Sequence, residues 1–201
     1  MNNDTKTSSP ASPQCVRGNI VDIQHRTIRP SVLTVAGGTI QSIEPLPAEV
    51  DSRLLPYVLP GFIDAHIHIE STLLTPSHFA PLAVAHGTVG VVADPHEIAN
   101  VMGTDGLRFM LSDSKKTLFH CCFMVPSSVP STAFETAGAS LSAAQTARLL
   151  QKEDYYGLAE MMNYTGVLSA DAEVMAKLAA AQACHKPIDG HAPGLRGDEA
   201  R

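Results

Sequence analysis

Two histidines two residues apart, His66 and His68, stand inside the apolar run Phe62-Ile63-Asp64-Ala65-His66-Ile67-His68-Ile69. A short, nearly continuous apolar run of this kind reads as a strand buried on both faces, as in a parallel sheet. Side chains at i and i+2 of a strand project to the same side, so both imidazoles converge from one buried strand. Pro60-Gly61 precede the run, and the carboxylates Asp64 and Glu70 flank the pair. A lone histidine there would read as a core residue bonded to a backbone carbonyl. A His-x-His pair in this setting reads as the start of a metal site.

The rest of the chain supplies a scaffold for such a pair. Strands are expected at 61–67, 88–93, 118–125, 156–162 and 187–192, separated by helical spacing at 76–86, 103–114, 141–152 and 169–184. Pro76 suits a helix start, whereas Pro81 fits only if it still lies in the first turn. Ser140 is expected to cap the helix over 141–152, and Ser169 or Asp171 the helix over 169–184. Repeated βα units imply a parallel sheet with right-handed crossovers. Each expected strand also ends on polar, reactive groups: His66 and His68, then Asp94-Pro95-His96-Glu97, Pro126-Ser127-Ser128, Glu160, and His191. Both a (β/α)8 barrel and an open doubly wound sheet gather groups in this way. Inward-pointing histidines fit the barrel better, and no G-x-G-x-x-G follows any strand.

Residues 16 to about 58 read instead as short strands, with 31–35 and 39–43 flanking the hairpin signal Ala36-Gly37-Gly38 and a first strand at 18–23. The first fourteen residues are polar and lack an apolar core, which reads as a disordered start and not a signal peptide. No 18-residue apolar run marks a membrane span. Lysine and arginine total 14 without clustering, net charge is −6 and tryptophan is absent, which argues against a nucleic-acid surface. The four cysteines form no C-x-x-C pair; Cys121 and Cys122 are expected to pack, in a reducing, cytoplasmic setting.

Imidazoles from the first and fifth strands and a carboxylate from the fourth can converge on a divalent ion. Such an ion lowers the pKa of a bound water towards ~7 and suits hydrolytic attack on a trigonal carbon. Glu160 lies inside Leu158-Ala159-Glu160-Met161-Met162, where a casual surface role is disfavoured. A carboxylate there can bridge two ions ~3.5–4 Å apart. Asp94, His96 and Glu97 could orient the metal histidines, line a substrate pocket or add ligands; an Asp-Pro turn opening a helix explains them equally well. His25, His78, His86, His120 and His185 read as structural or exposed. His96-Glu97-Ile98-Ala99-Asn100 lacks the second histidine of H-E-x-x-H, and no P-C-x-x-C follows His68-Ile69-Glu70.

Pro60-Gly61-Phe62-Ile63-Asp64-Ala65-His66-Ile67-His68 resembles the first-strand motif of the amidohydrolase superfamily. With His68-Ile69-Glu70-Ser71, the segment 94–103, Pro126-Ser127-Ser128-Val129-Pro130, Leu158-Ala159-Glu160-Met161-Met162-Asn163 and the segment 189–195, the chain is similar to the bacterial adenine deaminase family from about residue 16 onward. That resemblance implies hydrolysis of adenine to hypoxanthine and ammonia, in purine salvage, at a binuclear centre of manganese, iron or zinc. His66 and His68 would hold one ion, Glu160 would bridge, and His191 would hold the second. Asp94 and Glu97 would act with Glu160 in catalysis, close to the metal and substrate. It implies three segments: a disordered 1–15, part of a small β-sandwich at 16–59, and strands one to five of a (β/α)8 barrel at 60–201. A complete barrel takes ~250 residues, and about 140 follow Pro60 here. A further histidine and an aspartate of the family pattern are not among them. The chain is therefore expected to be an N-terminal portion, with little activity alone. Its partners are expected to be a small molecule, adenine, other copies in a full-length homo-oligomer, and a chain supplying the remaining strands, with no nucleic acid or membrane. The alternatives are an amidohydrolase acting on cyclic amides, of dihydroorotase or hydantoinase type, and a non-catalytic fragment or half of a split enzyme.

Overall fold

The computed structural model describes residues 12–132 and 134–200. They divide into two compact units, one ending at Pro60 and one beginning at Gly61. In the first unit, β1 (Gln14–Asp22), β2 (Thr27–Ala36), β3 (Thr39–Pro45) and the short β4 (Tyr57–Val58) form one sheet in the order β3-β2-β1-β4. β2 runs antiparallel to both β1 and β3, and β4 joins β1 in parallel. The hairpin between β2 and β3 turns on Gly37 and Gly38, at φ +61° and +76°. A two-residue turn of this hand needs positive φ at both positions, which glycine adopts without a Cβ clash. β1 begins at Gln14 and not at Gly18, because main-chain pairing with β2 starts at Gln14 opposite Val35. Gln14 and Cys15, expected to be disordered, are thus strand; residues 1–11 of that expected segment lie outside the described residues. The buried Asn19 side chain donates to the carbonyls of Ser52 (2.8 Å) and Leu55 (3.2 Å), which ties the loop before β4 to β1.

The second unit alternates strands and helices. In chain order these are β5 (Phe62–Ile67), α1 (Pro76–Ala85), β6 (Thr88–Ala93), α2 (His96–Met102), α3 (Thr104–Ser114), β7 (His120–Phe123), α4 (Ala143–Leu150), β8 (Leu158–Met161), α5 (Tyr164–Leu168), α6 (Ala172–Ala183) and β9 (Ile188–Gly190). The strands are parallel and form two ladders, β5-β6-β7 and β8-β9. A single bridge, Val125 to Leu158, joins them, with Val125 N–H donating to Gly157 O and Ala159 N–H to Val125 O, both at 2.8 Å. Strand neighbours therefore follow chain order. At ~4.8 Å per strand a flat sheet would hold the outer two roughly 19 Å apart. Yet His66 at the end of β5 and Asp189 on β9 are hydrogen bonded at 2.9 Å. The sheet curls until the C-terminal ends of its strands face a common space.

Phe123, Val125, Leu158, Val91, Ile69, Leu107, Leu150 and Tyr155 are buried between the central strands and the helices. β5 departs from its expectation. It was expected to be buried on both faces, but Phe62 is 57% and Ile63 68% exposed. β5 is an outer strand with a ladder neighbour on one side only, so its apolar run lacks half of its cover. Other differences are local. The cap of α4 is Ser142, not Ser140: Ser142 and Gln145 form a capping box, with Ser142 N–H donating to Gln145 Oε1 at 2.9 Å. Asp171 caps α6. Pro81 lies beyond the first turn of α1, on its exposed side, where the carbonyl that loses its partner can be hydrated. α2 and α3 turn about Gly103 at φ +58°.

Asp113 on α3 links two helices. Its buried carboxylate accepts from the Ser77 amide at the start of α1 (2.8 Å) and from Lys116 Nζ (2.7 Å). Burial alone would push this carboxyl up, but the bonds from Lys116 and Ser77 outweigh it and hold the group well below the ordinary carboxylate range. A depressed folded-state pKa contributes stability that is present above the unfolded value near 4 and is lost as pH falls through the folded one. Asp113→Asn is expected to lower stability by about 1.5–3 kcal/mol at pH 7. In urea denaturation the gap to the parent should narrow below about pH 4.

Candidate metal centre

The strand ends that face one another carry four imidazoles around one carboxylate. Glu160, on the fully buried β8, is the centre. Its Oε1 lies 3.3 Å from His68 Nε2 and 3.9 Å from His96 Nδ1. Its Oε2 lies 2.7 Å from His191 Nδ1 and 3.8 Å from His66 Nε2. The backbone of Glu160 is held as well: its carbonyl accepts from Ser127 Oγ, and the Ser127 carbonyl accepts from the buried Lys177 Nζ at 2.8 Å.

The first-strand histidines are oriented from behind. His66 Nδ1 meets the Asp189 carboxylate at 2.9 Å, and His68 Nδ1 meets the backbone carbonyl of Asp94 at 2.9 Å. Both partners are acceptors, so each Nδ1 donates to its partner and each ring turns its Nε2 towards Glu160. Those two Nε2 atoms are 3.2 Å apart and both approach Glu160. Nitrogen and oxygen donors gathered this closely suit a cation among them. Ligands at ~2.1 Å from one ion are themselves roughly 3.0–3.5 Å apart, which matches the 3.2 Å between the two Nε2 atoms and the 3.3 Å from His68 to Glu160. The donor set thus fits a divalent ion.

A second feature of the site is Asp94, at the end of β6. It is 3% exposed; Oδ2 meets His96 Nδ1 at 3.0 Å, and Oδ1 is buried with no partner. Burial pushes its carboxyl up. Burial pulls the His96 imidazole down, but the Asp94 bond and the Glu160 and Glu97 charges outweigh it, leaving it raised. Donor atoms of His68, Asp94, His96 and Glu160 all lie within 4.8 Å of one another.

The structure therefore brings together His66, His68, Asp94, Glu160 and His191. It does not bring Glu97 into the donor set: that side chain is exposed and accepts from Ser71 Oγ at 2.6 Å. His96, for which an added ligand is one of the roles the sequence leaves open, joins the site, as does Asp189, which the sequence does not single out. The signal for Asp189 was available, since it stands two residues before His191 and so shares its side of the strand. Lys177 carried no such signal, because a lysine on an Ala-rich helix reads as solvated. Cys121 and Cys122 are free and partly buried, and burial pushes the Cys121 thiol up to about 11.

A family model described as "Amidohydrolase family" matches residues 57–201. Adenine deaminases from Salinibacter ruber and Methanosarcina acetivorans are 50% and 53% identical to the chain over 184 and 180 residues, covering 92% and 90% of it. The adenine deaminase of Borreliella burgdorferi is 50% identical over 182 residues, 90% of the chain. The chain spans about one third of the length of these curated relatives: 33%, 32% and 32%. Among solved structures, an amidohydrolase from an environmental sample of the Sargasso Sea superposes with a TM-score of 0.56 at 13% identity. That match covers 92% of this chain and 54% of the other, and it supports a shared α/β fold of the TIM-barrel type. With the family model covering most of the chain, and strand-end donors placed where such a fold gathers them, the chain belongs to the amidohydrolase family.

Proposed function

We propose that this chain carries most of the metal centre of an adenine deaminase, which hydrolyses adenine to hypoxanthine and ammonia. The observation that carries the reading is the buried Glu160 with two imidazoles on each carboxylate oxygen. The substrate reading is supported by the relatives named above, which are adenine deaminases at about half identity and not cyclic amidases. In this reading the second unit forms the first five βα units of a (β/α)8 barrel, and the first unit is part of a β-sandwich. The protein is cytoplasmic, acts in purine salvage and assembles as a homo-oligomer. Among the described residues, no helix is long and apolar enough to cross a membrane.

The centre is binuclear, with manganese, iron or zinc as its ions. Divalent ions held there supply Lewis acidity and a water acidified towards neutral pH. His66 and His68 would hold one ion and His191 the other, with Glu160 as the carboxylate shared between them. Asp189 and the Asp94 carbonyl fix the two strand-one rings, as outer partners of metal histidines do. The Ser127–Lys177 contacts keep Glu160 in register. Asp94 stands beside Glu160, with Glu97 on the adjoining first turn of α2, and both would act with Glu160 in catalysis. In the net reaction, water oxygen bonds to C6 of adenine and the C6–N6 bond breaks. N6 leaves as ammonia with a proton from that water.

The chain matches only a third of its relatives' length, so the remaining strands and ligands come from elsewhere in the assembled protein, covering Phe62, Ile63 and Ile188. The test measures ammonia and hypoxanthine from adenine, with Mn2+ supplied. The 201-residue chain is compared alone and with the polypeptide bearing those strands. The assembled protein is expected to form both products one to one, and the chain alone little or none. Hydrolysis of dihydropyrimidines with no turnover of adenine would overturn the substrate; normal turnover by the chain alone would overturn the need for added strands.

A further inference from the structure

Resting on that reading, we infer that Glu70 and Ser71 are positioning residues: from the turn after β5 they clamp the first turn of α2, so that Asp94 and Glu97 are held against the end of β5. Their side chains bond Ile98 and Glu97, not the donors of the metal centre. They act on the reaction only through where Asp94 and Glu97 stand.

Residues 67–71 and 94–98 are joined along their length. The Asp94 amide donates to Ile67 O at 3.0 Å, and the Asp94 carbonyl accepts from His68 Nδ1 at 2.9 Å. Beyond these the chain enters the 3-10 turn Ile69–Thr72, pinned by the fully buried Ile69. From that turn Glu70 Oε1 accepts from the Ile98 amide at 3.2 Å, and Ser71 Oγ donates to Glu97 Oε1 at 2.6 Å. α2 needs the first of these bonds. It opens after Pro95 without a side-chain cap, so its first amides lack an acceptor from their own turn. Glu70 supplies one from 28 residues away, and its negative charge suits the start of a helix. Packing does not explain Glu70. Its Oε2 is buried with no partner among the described residues, and a carboxylate oxygen left so is destabilising. An apolar side chain would fill that space without the penalty, but it could not hold Ile98. Ser71 is exposed, where one bond adds little to stability. What its bond does is fix one oxygen of a carboxylate that this reading places in the reaction. A displacement of ~1 Å at such a group is worth on the order of a hundredfold in rate.

The experiment measures adenine hydrolysis by the assembled protein with Mn2+, and hydrogen exchange at the Ile98 amide in the 201-residue chain. Ser71→Ala and Glu70→Ala are expected to lower kcat roughly tenfold to hundredfold. KM and bound Mn2+ should stay near the parent values, as when an interaction matters only in the transition state. Ser71→Thr keeps the hydroxyl and Glu70→Gln keeps an acceptor oxygen, so each should recover most of the loss. In the 201-residue chain Glu70→Ala should speed exchange at Ile98 about tenfold, while the amides of α3 exchange as in the parent. Ser71→Ala at the parent kcat, a loss that tracks lost Mn2+, or unchanged exchange at Ile98 would overturn the clamp while leaving the metal centre standing. An assembled parent that does not turn over adenine would overturn the functional reading, and exchange at Ile98 would then decide the clamp alone. If a Glu70 variant does not fold, the exposed Ser71 and its two variants decide.

Discussion

Glu160→Gln is expected to abolish strong divalent-ion binding by this chain, lowering affinity on the order of a hundredfold or more. Even outer partners of metal ligands are worth 10–100-fold, and Glu160 is approached by imidazole nitrogens at both oxygens. Glutamine keeps the shape and the backbone bonds to Ser127, so the loss isolates the charge. Without the carboxylate, four nitrogens converge on a neutral amide, and nothing offsets the cation. The metal-free variant should melt somewhat below the parent, because the imidazole partners of this buried carboxylate, His191 at 2.7 Å foremost, lose their charged acceptor. Equilibrium dialysis with Mn2+ and Zn2+, beside a thermal melt of the stripped proteins, checks both halves. Parent-like affinity in the variant would show that the ion sits elsewhere.

The largest expected effect on stability belongs to Leu158→Ala, about 3–4 kcal/mol. Leu158 is fully buried and opens β8 at the bridge to Val125, where the two ladders meet. Its amide donates to Pro187 O at 2.9 Å, which also holds β9. Truncation leaves a cavity at the seam and loosens the strand that positions Glu160 two residues later. A domain with ~5–15 kcal/mol in hand loses a large share of it. Leu118→Ala is the matched control: at 98% exposure it should change stability by about 0.5 kcal/mol or less. Urea midpoints of the two variants make the comparison.

Periodicity revealed where the strands lie, because a buried strand needs an apolar run whatever its neighbours. Residues 88–93 came out as expected, and the Gly37-Gly38 hairpin was legible from turn chemistry alone. His66, His68, Glu160 and His191 were legible because each breaks an apolar strand or ends one. What the sequence could not show was cover. Phe62 and Ile63 read as core from composition, but their exposure depends on which strands flank β5, a matter of pairing and not of pattern. Asp94 and His96 read equally well as an Asp-Pro turn with a helix start, and they are indeed both; only the curl of the sheet shows that they also face Glu160. Lys177 was hidden by its helix, since burial of one lysine among alanines leaves no periodic trace. Ser142 lost to Ser140 because two serines two apart offer the same cap, and Gln145 decides between them.

The most direct test is where an ion goes. Crystals of the chain grown with Mn2+, with diffraction recorded at the manganese absorption edge, locate the ion without reference to activity. The account predicts anomalous density between Glu160 and the imidazoles of His66, His68, His96 and His191, at coordination distances of about 2.0–2.2 Å. Manganese bound only at surface carboxylates, with no density beside Glu160, would contradict it.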